Sequence, residues 1–313
     1  MGFRRLMTSP TLRLSITAEG AMFPPDQQYR LLEVARHADQ LGVDQIDTSE
    51  HVLMGAGALT SGHGWEPRHL EMPQPDSITS MAAMAGATHT IRLLSNVAIA
   101  PLRPAGLLAK AVATVHAISR GRYSLGVSVS WHKDEYDALG VPFSERGQIL
   151  DDQLHACRVL WTQAPASFHS KTVNFDNMYC SPRPAPGERI PILFGGHFAP
   201  RLIRRIVTLG DGWLLSGVLG LDLAQKVDAI AELKEAFVNA GRDAATLELC
   251  DEVRAVDGDI AKSMEEIPAL ARAGITTVRM HLRRFLTQPD EALPKLEEIV
   301  RRFEQYREVK STG

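Results

Sequence analysis

The sequence predicts an α/β fold: a closed parallel (β/α)8 TIM barrel with an extended loop after the second strand and an insertion before the fifth. Two observations carry that expectation. Short β-type runs alternate with amphipathic helical stretches from end to end, and the alternation yields eight strand–helix pairs, the number that closes a parallel sheet into a barrel. A doubly wound open sheet would place a G-x-G-x-x-G turn after the first strand, where this chain has Ala18-Glu19-Gly20-Ala21. The 313 residues suit one such barrel as a single domain, with residues 1–11 and 307–313 expected as flexible tails.

The expected strands cover residues 12–17, 45–48, 91–99, 123–129, 191–194, 212–216, 247–255 and 277–282. The helices that follow them cover 26–41, 76–87, 104–118, 145–161, 200–209, 222–240, 264–273 and 289–306. Pro25-Asp26, Ser144-Glu145 and Pro289-Asp290 open three of these helices, while Gly42, Gly241 and Gly274 stand where others end. Two segments exceed simple connections. Residues 51–75, rich in Gly and His, follow a strand's C-terminal end, the face on which barrel active sites lie, and read as a lid or substrate loop. In residues 162–189 the partly alternating Phe168, Val173, Phe175, Met178 and Tyr179 predict a small hairpin packed on the barrel.

Bulk properties narrow the function. A formal net charge of −3 with interspersed signs leaves no footprint for nucleic acid or an anionic membrane, so the expected partner is a small-molecule substrate. No apolar run approaches a membrane span and no signal-type h-region follows Arg4 and Arg5, which gives a cytoplasmic reading. Assembly as a homodimer stays open. Cys157, Cys180 and Cys250 are far apart and lack C-x-x-C spacing, and neither H-x-x-x-H nor clustered carboxylates suggest a metal. Without G-x-S-x-G or a motif-paired cysteine, hydrolytic machinery is poorly supported.

The strand ends gather the chemistry. One face of the expected barrel collects Ser49-Glu50-His51, Asn96-Val97, Ser128-Val129-Ser130-Trp131, Gly195-Gly196-His197, Gly217 and His281. Paired glycines between a strand and a helix expose backbone N–H groups that hold a phosphate without a lysine, although the same glycines also serve a turn by geometry alone. His51 is the candidate for proton chemistry, because an imidazole titrates near neutrality and Glu50 or Asp47 stands close enough in sequence to orient it. Phosphate-binding glycines, a polar and aromatic rim and one histidine suit a cofactor that carries its own redox chemistry.

Those residues resemble a known family. Glu50-His51-Val52, Ile118-Ser119-Arg120-Gly121-Arg122, Leu125-Gly126-Val127-Ser128-Val129-Ser130-Trp131, Ala138-Leu139-Gly140-Val141-Pro142-Phe143, Gly195-Gly196-His197 and Asp211-Gly212-Trp213 together resemble the luciferase-like monooxygenase superfamily, in colinear order over about residues 12–300. Within it the sequence is most similar to the coenzyme F420-dependent oxidoreductases. The resemblance implies a deazaflavin across the C-terminal face of the barrel and a non-proline cis peptide at Asn96-Val97 beneath its ring. It also implies that Val129, Ser130 and Asp134 lie near the ring or ribityl chain and that Gly195, Gly196 and His197 form the phosphate loop. The chain departs from the family where glycines are common, at Ser128 and Ser130, and where its sugar-phosphate dehydrogenases carry a glutamate, at Trp131.

The resulting expectation is a coenzyme F420-dependent oxidoreductase that passes a hydride between the deazaflavin and a small, largely apolar organic substrate. His51 and Glu50 are the catalytic candidates. Ser49, Asn96, Val97, Ser128, Val129, Ser130, Asp134, Gly195, Gly196, His197 and Gly217 are the cofactor-binding ones, and Trp65, Trp131 and Tyr136 shape the substrate side. The alternatives are a two-component FMN-dependent monooxygenase and a non-catalytic flavin-binding protein.

Overall fold

In the computed structural model, which describes residues 11–217 and 220–307, eight parallel strands close into a barrel. They are β1 (Arg13–Thr17), β2 (Gln45–Thr48), β3 (Arg92–Ala98), β4 (Tyr123–Val127), β7 (Ile192–Gly195), β8 (Gly212–Leu214), β9 (Glu248–Glu252) and β10 (Thr277–His281). Each pairs with its sequence neighbour in the barrel, and β10 returns to β1 with Arg13 opposite Thr277 and Thr17 opposite His281. The residues expected as tails lie, but for Thr11 and Arg307, outside the described residues. β5 (Ala166–His169) and β6 (Asn174–Met178) form the antiparallel hairpin expected before the fifth barrel strand.

The helices sit outside the barrel because each has one apolar face to bury. α1 (Arg30–Gln40), α2 (Ser77–Ala87), α3 (Ala105–Ile118), α5 (Arg146–Thr162), α6 (Pro200–Thr208), α7 (Leu223–Asn239) and α10 (Ala292–Phe303) follow the expected order. Asp76 caps α2 by accepting from Thr79 N at 2.7 Å, and Asp222 with Gln225 forms a capping box on α7. The expected helix at 264–273 is instead two short ones, α8 (Ile260–Met264) and α9 (Ile267–Arg272), because Pro268 cannot continue α8 and opens α9. The first helix starts at Arg30 rather than 26, after a 3-10 turn at Pro25–Gln27. α4 (Lys133–Ala138), a short helix between β4 and α5, was not foreseen.

The barrel interior is stratified. Leu94, Leu193, Leu214 and Cys250 form an apolar plug against which Val97 packs. A polar group is built on the buried Asp47 carboxylate, which accepts from Ser15 Oγ at 2.6 Å, Thr17 Oγ1 at 2.8 Å and Asn96 Nδ2 at 3.0 Å. Among the described residues no helix is long and apolar enough to cross a membrane.

Candidate active site

At the C-terminal ends of the strands lies a cavity of about 430 Å³. β3 supplies one wall: the Asn96–Val97 peptide is cis, and the register with β4 shifts between Ser95 and Ala98, so Asn96 and Val97 form a bulge facing the cavity. Asp47 holds the Asn96 amide from below.

Beyond β4 the chain turns out of the sheet earlier than expected, and Ser128, Val129, Ser130 and Trp131 line the cavity as a loop. Ser130 adopts φ 56°, a conformation that glycine takes without a Cβ penalty, which accounts for glycine at this place in the sequences it resembles. Its N–H donates to Ser128 Oγ at 3.3 Å, so the serine pair braces the turn that glycines would leave loose.

The glycine pair closes β7 on the opposite side. Gly195 packs against the bulge, where a Cβ would come within 3.3 Å of Val97 Cγ1, and Gly196 has φ 145°. Trp213 of β8 reaches over to donate Nε1–H to Gly196 O at 3.3 Å, while Phe198 stacks on its ring at 5.2 Å. Asp211 accepts from Ile192 N at 2.9 Å, so the Asp-Gly-Trp run fixes both ends of β7. α6 begins at Pro200 with no side-chain cap, and exposed His197 lines the cavity between the glycines and that helix.

The remaining wall is charged, and of its charged residues only His281 was placed on this face from the sequence. Leu214, Leu215 and Ser216 of β8 and its loop meet Glu252, Arg279, His281 and Arg284 there. Arg284 lies 2.7 Å from Glu252, and His281 lies 3.1 Å from Glu19 and 3.6 Å from Glu252. Burial alone would lower the His281 imidazole, but the two carboxylates outweigh it and push it up to about 9. Burial alone would raise the Glu252 carboxyl, but His281, Arg279 and Arg284 hold it down at about 2. The available signal was Arg279 and His281, two residues apart on one strand and therefore on one face.

His51 sits next door, in an adjoining cavity of about 260 Å³ that shares Ser49 and Glu50 with the first. Trp65 lines the same space, and the His51 ring lies edge-on to Trp65 at 5.5 Å and Trp131 at 5.4 Å. The expectation that Glu50 or Asp47 orients His51 is corrected. Glu50 is saturated by Arg103 at 2.6 and 2.9 Å, Ile99 N at 2.9 Å, and Ser77 N and Oγ at 3.0 and 2.6 Å. The His51 partner is Glu135 of α4, with Nδ1 3.2 Å from Oε2. No hydrophobic period marks six residues, so the sequence hid this helix and its carboxylate.

Three further expectations are corrected by placement. Asp134 faces away from the cavity and accepts from Gly57 N at 2.9 Å, and a Cβ at Gly55 would overlap its carboxylate. It therefore pins the loop after β2, as does His132, whose Nε2 accepts from Gly55 N at 2.8 Å. Tyr136 is fully buried with Phe143, Leu102 and Ile99, and donates its hydroxyl to Val129 O at 2.5 Å. It supports the cavity loop from behind and touches no substrate space. Gly217 does not line the main cavity but a neighbouring one, with Asp222 and Lys226, that shares Glu252 and Arg284 with it. Among the described residues no group of three or more His, Cys, Asp or Glu is placed to hold a metal ion.

This barrel has relatives. An uncharacterized protein of Mycobacterium tuberculosis (strain ATCC 25618 / H37Rv) is 29% identical over 248 residues, 78% of this chain and 86% of its own. The oxygenating constituent of 3,6-diketocamphane monooxygenase from Pseudomonas putida, solved with FMN, shares the fold at a TM-score of 0.70 and 16% identity, covering 93% of this chain and 97% of that one. Coenzyme F420-dependent tetrahydromethanopterin reductase from Methanopyrus kandleri does so at 0.67 and 14%, covering 95% and 99%. The luciferase-like monooxygenase model matches residues 9–311, nearly the entire chain. The protein is thus an enzyme of the luciferase-like monooxygenase family, oxidoreductases that depend on F420 or FMN.

Proposed function

We propose that the protein is a coenzyme F420-dependent oxidoreductase that moves a hydride between the deazaflavin and a small, largely apolar organic substrate. The observation that carries this reading is the stretch of cavity wall where the Asn96–Val97 bulge meets Gly195-Gly196, two strand ends that approach so closely that a Cβ at Gly195 would crowd Val97. A planar ring fits against such a bulge, and the glycines leave room for backbone approach by a phosphate before α6. Coenzyme F420 would supply a two-electron hydride carrier, held by Asn96, Val97, Ser128, Val129, Ser130, Gly195, Gly196 and His197.

The charged wall favours hydride transfer over oxygenation. A reaction with oxygen needs its intermediate shielded from water. Here Glu252, Arg279, His281 and Arg284 line one side of the cavity and exposed His197 and His63 stand at another, a polar edge that hydride transfer tolerates. Ser49 bridges this cavity to the one that holds His51 and Trp65, and that smaller space is the substrate pocket. His51 exchanges the proton that accompanies the hydride.

Arg201 and Arg204 on α6 are exposed and have no ion pair among the described residues, in contrast to Lys133, which is 2.5 Å from Asp137. They are the cations available to an anionic cofactor tail. Titrating the apo-protein separately with F420 and FMN tests the reading. F420 should bind more tightly and with the steeper dependence on salt; tighter FMN binding would transfer the assignment to an FMN-dependent monooxygenase.

A further inference from the structure

We infer that Glu135 is the positioning residue for His51: it fixes the proton of the neutral imidazole on Nδ1 and leaves Nε2 as the atom that exchanges a proton in the adjoining cavity. The inference deepens the reading of His51 given above and rests on it for its catalytic consequence. The geometry that carries it is complete in the apo-protein. Glu135 is fully buried, and its Oε1 accepts from Val52 N at 2.7 Å and Leu53 N at 3.3 Å. Its Oε2 lies 3.2 Å from His51 Nδ1 and accepts from Ser130 Oγ at 3.3 Å. With two backbone N–H groups on Oε1 and the Ser130 hydroxyl on Oε2, both oxygens act as acceptors, which makes Nδ1 the donor in its contact with Oε2. His51 Nε2 makes no hydrogen bond with the described residues, and the ring lines the 260 Å³ cavity between Trp65 and Trp131.

That arrangement has a definite chemical use. When the substrate's reduced form loses a hydride from carbon to the oxidised cofactor, the proton of its O–H or N–H passes to the Nε2 lone pair. In the reverse direction the imidazolium returns that proton from Nε2 while Nδ1–H stays on Glu135. The same carboxylate holds the first residues of the loop after β2, so the proton group and the loop that covers it share one anchor.

Glu135→Gln should invert the tautomer. The glutamine oxygen must remain on the two backbone N–H groups, so its NH2 faces His51, Nδ1 becomes the acceptor and the ring proton moves to Nε2. The test is a long-range nitrogen–proton correlation NMR spectrum of the ¹⁵N-labelled apo-protein, with His51 assigned from the His51→Ala spectrum. The expected result is an Nδ1–H neutral ring in the wild type and an Nε2–H ring in E135Q. A wild-type ring protonated on Nε2, or an equal mixture, overturns the inference without any variant, as does an unchanged ring in folded E135Q. On the loaded enzyme, E135Q should slow single turnover by about 10²-fold or more with cofactor affinity unchanged; an unchanged rate overturns the catalytic consequence. Failure to bind F420 or FMN would remove the functional reading and leave the tautomer result standing.

Discussion

Replacing Gly196 by valine probes the phosphate loop where its geometry is most demanding. An added Cβ has room, since the nearest atom outside the neighbouring residues is Leu202 Cδ1 at 4.0 Å, so packing does not oppose the Cβ. The backbone does: φ is 145°, which glycine adopts freely and a β-branched residue adopts at a cost of about 1–3 kcal/mol. In the free variant the expected relief is a turn of the Gly196 peptide at the expense of the Trp213 Nε1–H bond to its carbonyl. A ligand held by the native loop conformation requires the strained form, so the cost reappears in binding. Converted to affinity, about 1–3 kcal/mol raises Kd roughly 5- to 150-fold. Cofactor fluorescence titration measures Kd, and far-UV circular dichroism with thermal unfolding confirms that the barrel is intact. An unchanged Kd in a folded Gly196→Val protein would refute the assignment of this loop to cofactor binding.

Two further outcomes are expected. His51→Ala should leave F420 affinity nearly unaltered and slow single-turnover oxidation of the bound reduced cofactor by about 10²–10⁴-fold, the size of a lost general acid or base; an unaltered single-turnover rate would pass the proton role to water or His197. For His281 the folded imidazole is raised from its ordinary 6.5 to about 9, so its pairing with Glu19 and Glu252 stabilises the fold fully below about pH 6.5 and is lost as pH rises through about 9. That shift corresponds to about 3 kcal/mol, so urea unfolding should separate wild type from His281→Gln near pH 6 and show the gap closing near pH 10. A gap independent of pH would mean that the ring acts through packing alone.

The barrel was legible in the sequence because its signals are local: alternating periods, helix-opening prolines and aspartates, and glycines at helix ends recur in each unit. The strand-end residues from Ser49 to His197 were legible for the same reason, since the strands they follow were already located, whereas His63, Glu252, Arg279 and Arg284 of the same cavity were not assigned. What lay hidden depends on pairs far apart in the chain. Glu135 meets Val52 across 83 residues and His51 across 84, and nothing at either position announces the other. Glu50 adjoins His51 in sequence, yet successive residues at a strand end point in different directions, and Arg103 claims its carboxylate. Tyr136 and Asp134 were misplaced because α4 turns both away from the cavity, one into the core and one onto the loop glycines. The Asn96–Val97 cis bond came from the resemblance, and no property of those two residues alone would have indicated it.

The central claim, hydride transfer from F420 rather than oxygenation through FMN, is tested most directly by loading the protein with reduced F420 in the absence of oxygen. It is then mixed in a stopped-flow instrument with a panel of small ketones, imines and activated alkenes. The account predicts that at least one compound reoxidises the bound cofactor anaerobically, with the reduced product formed in equal amount. No anaerobic reoxidation by any compound, together with an oxygenated product when the protein is given reduced FMN and oxygen, would contradict it.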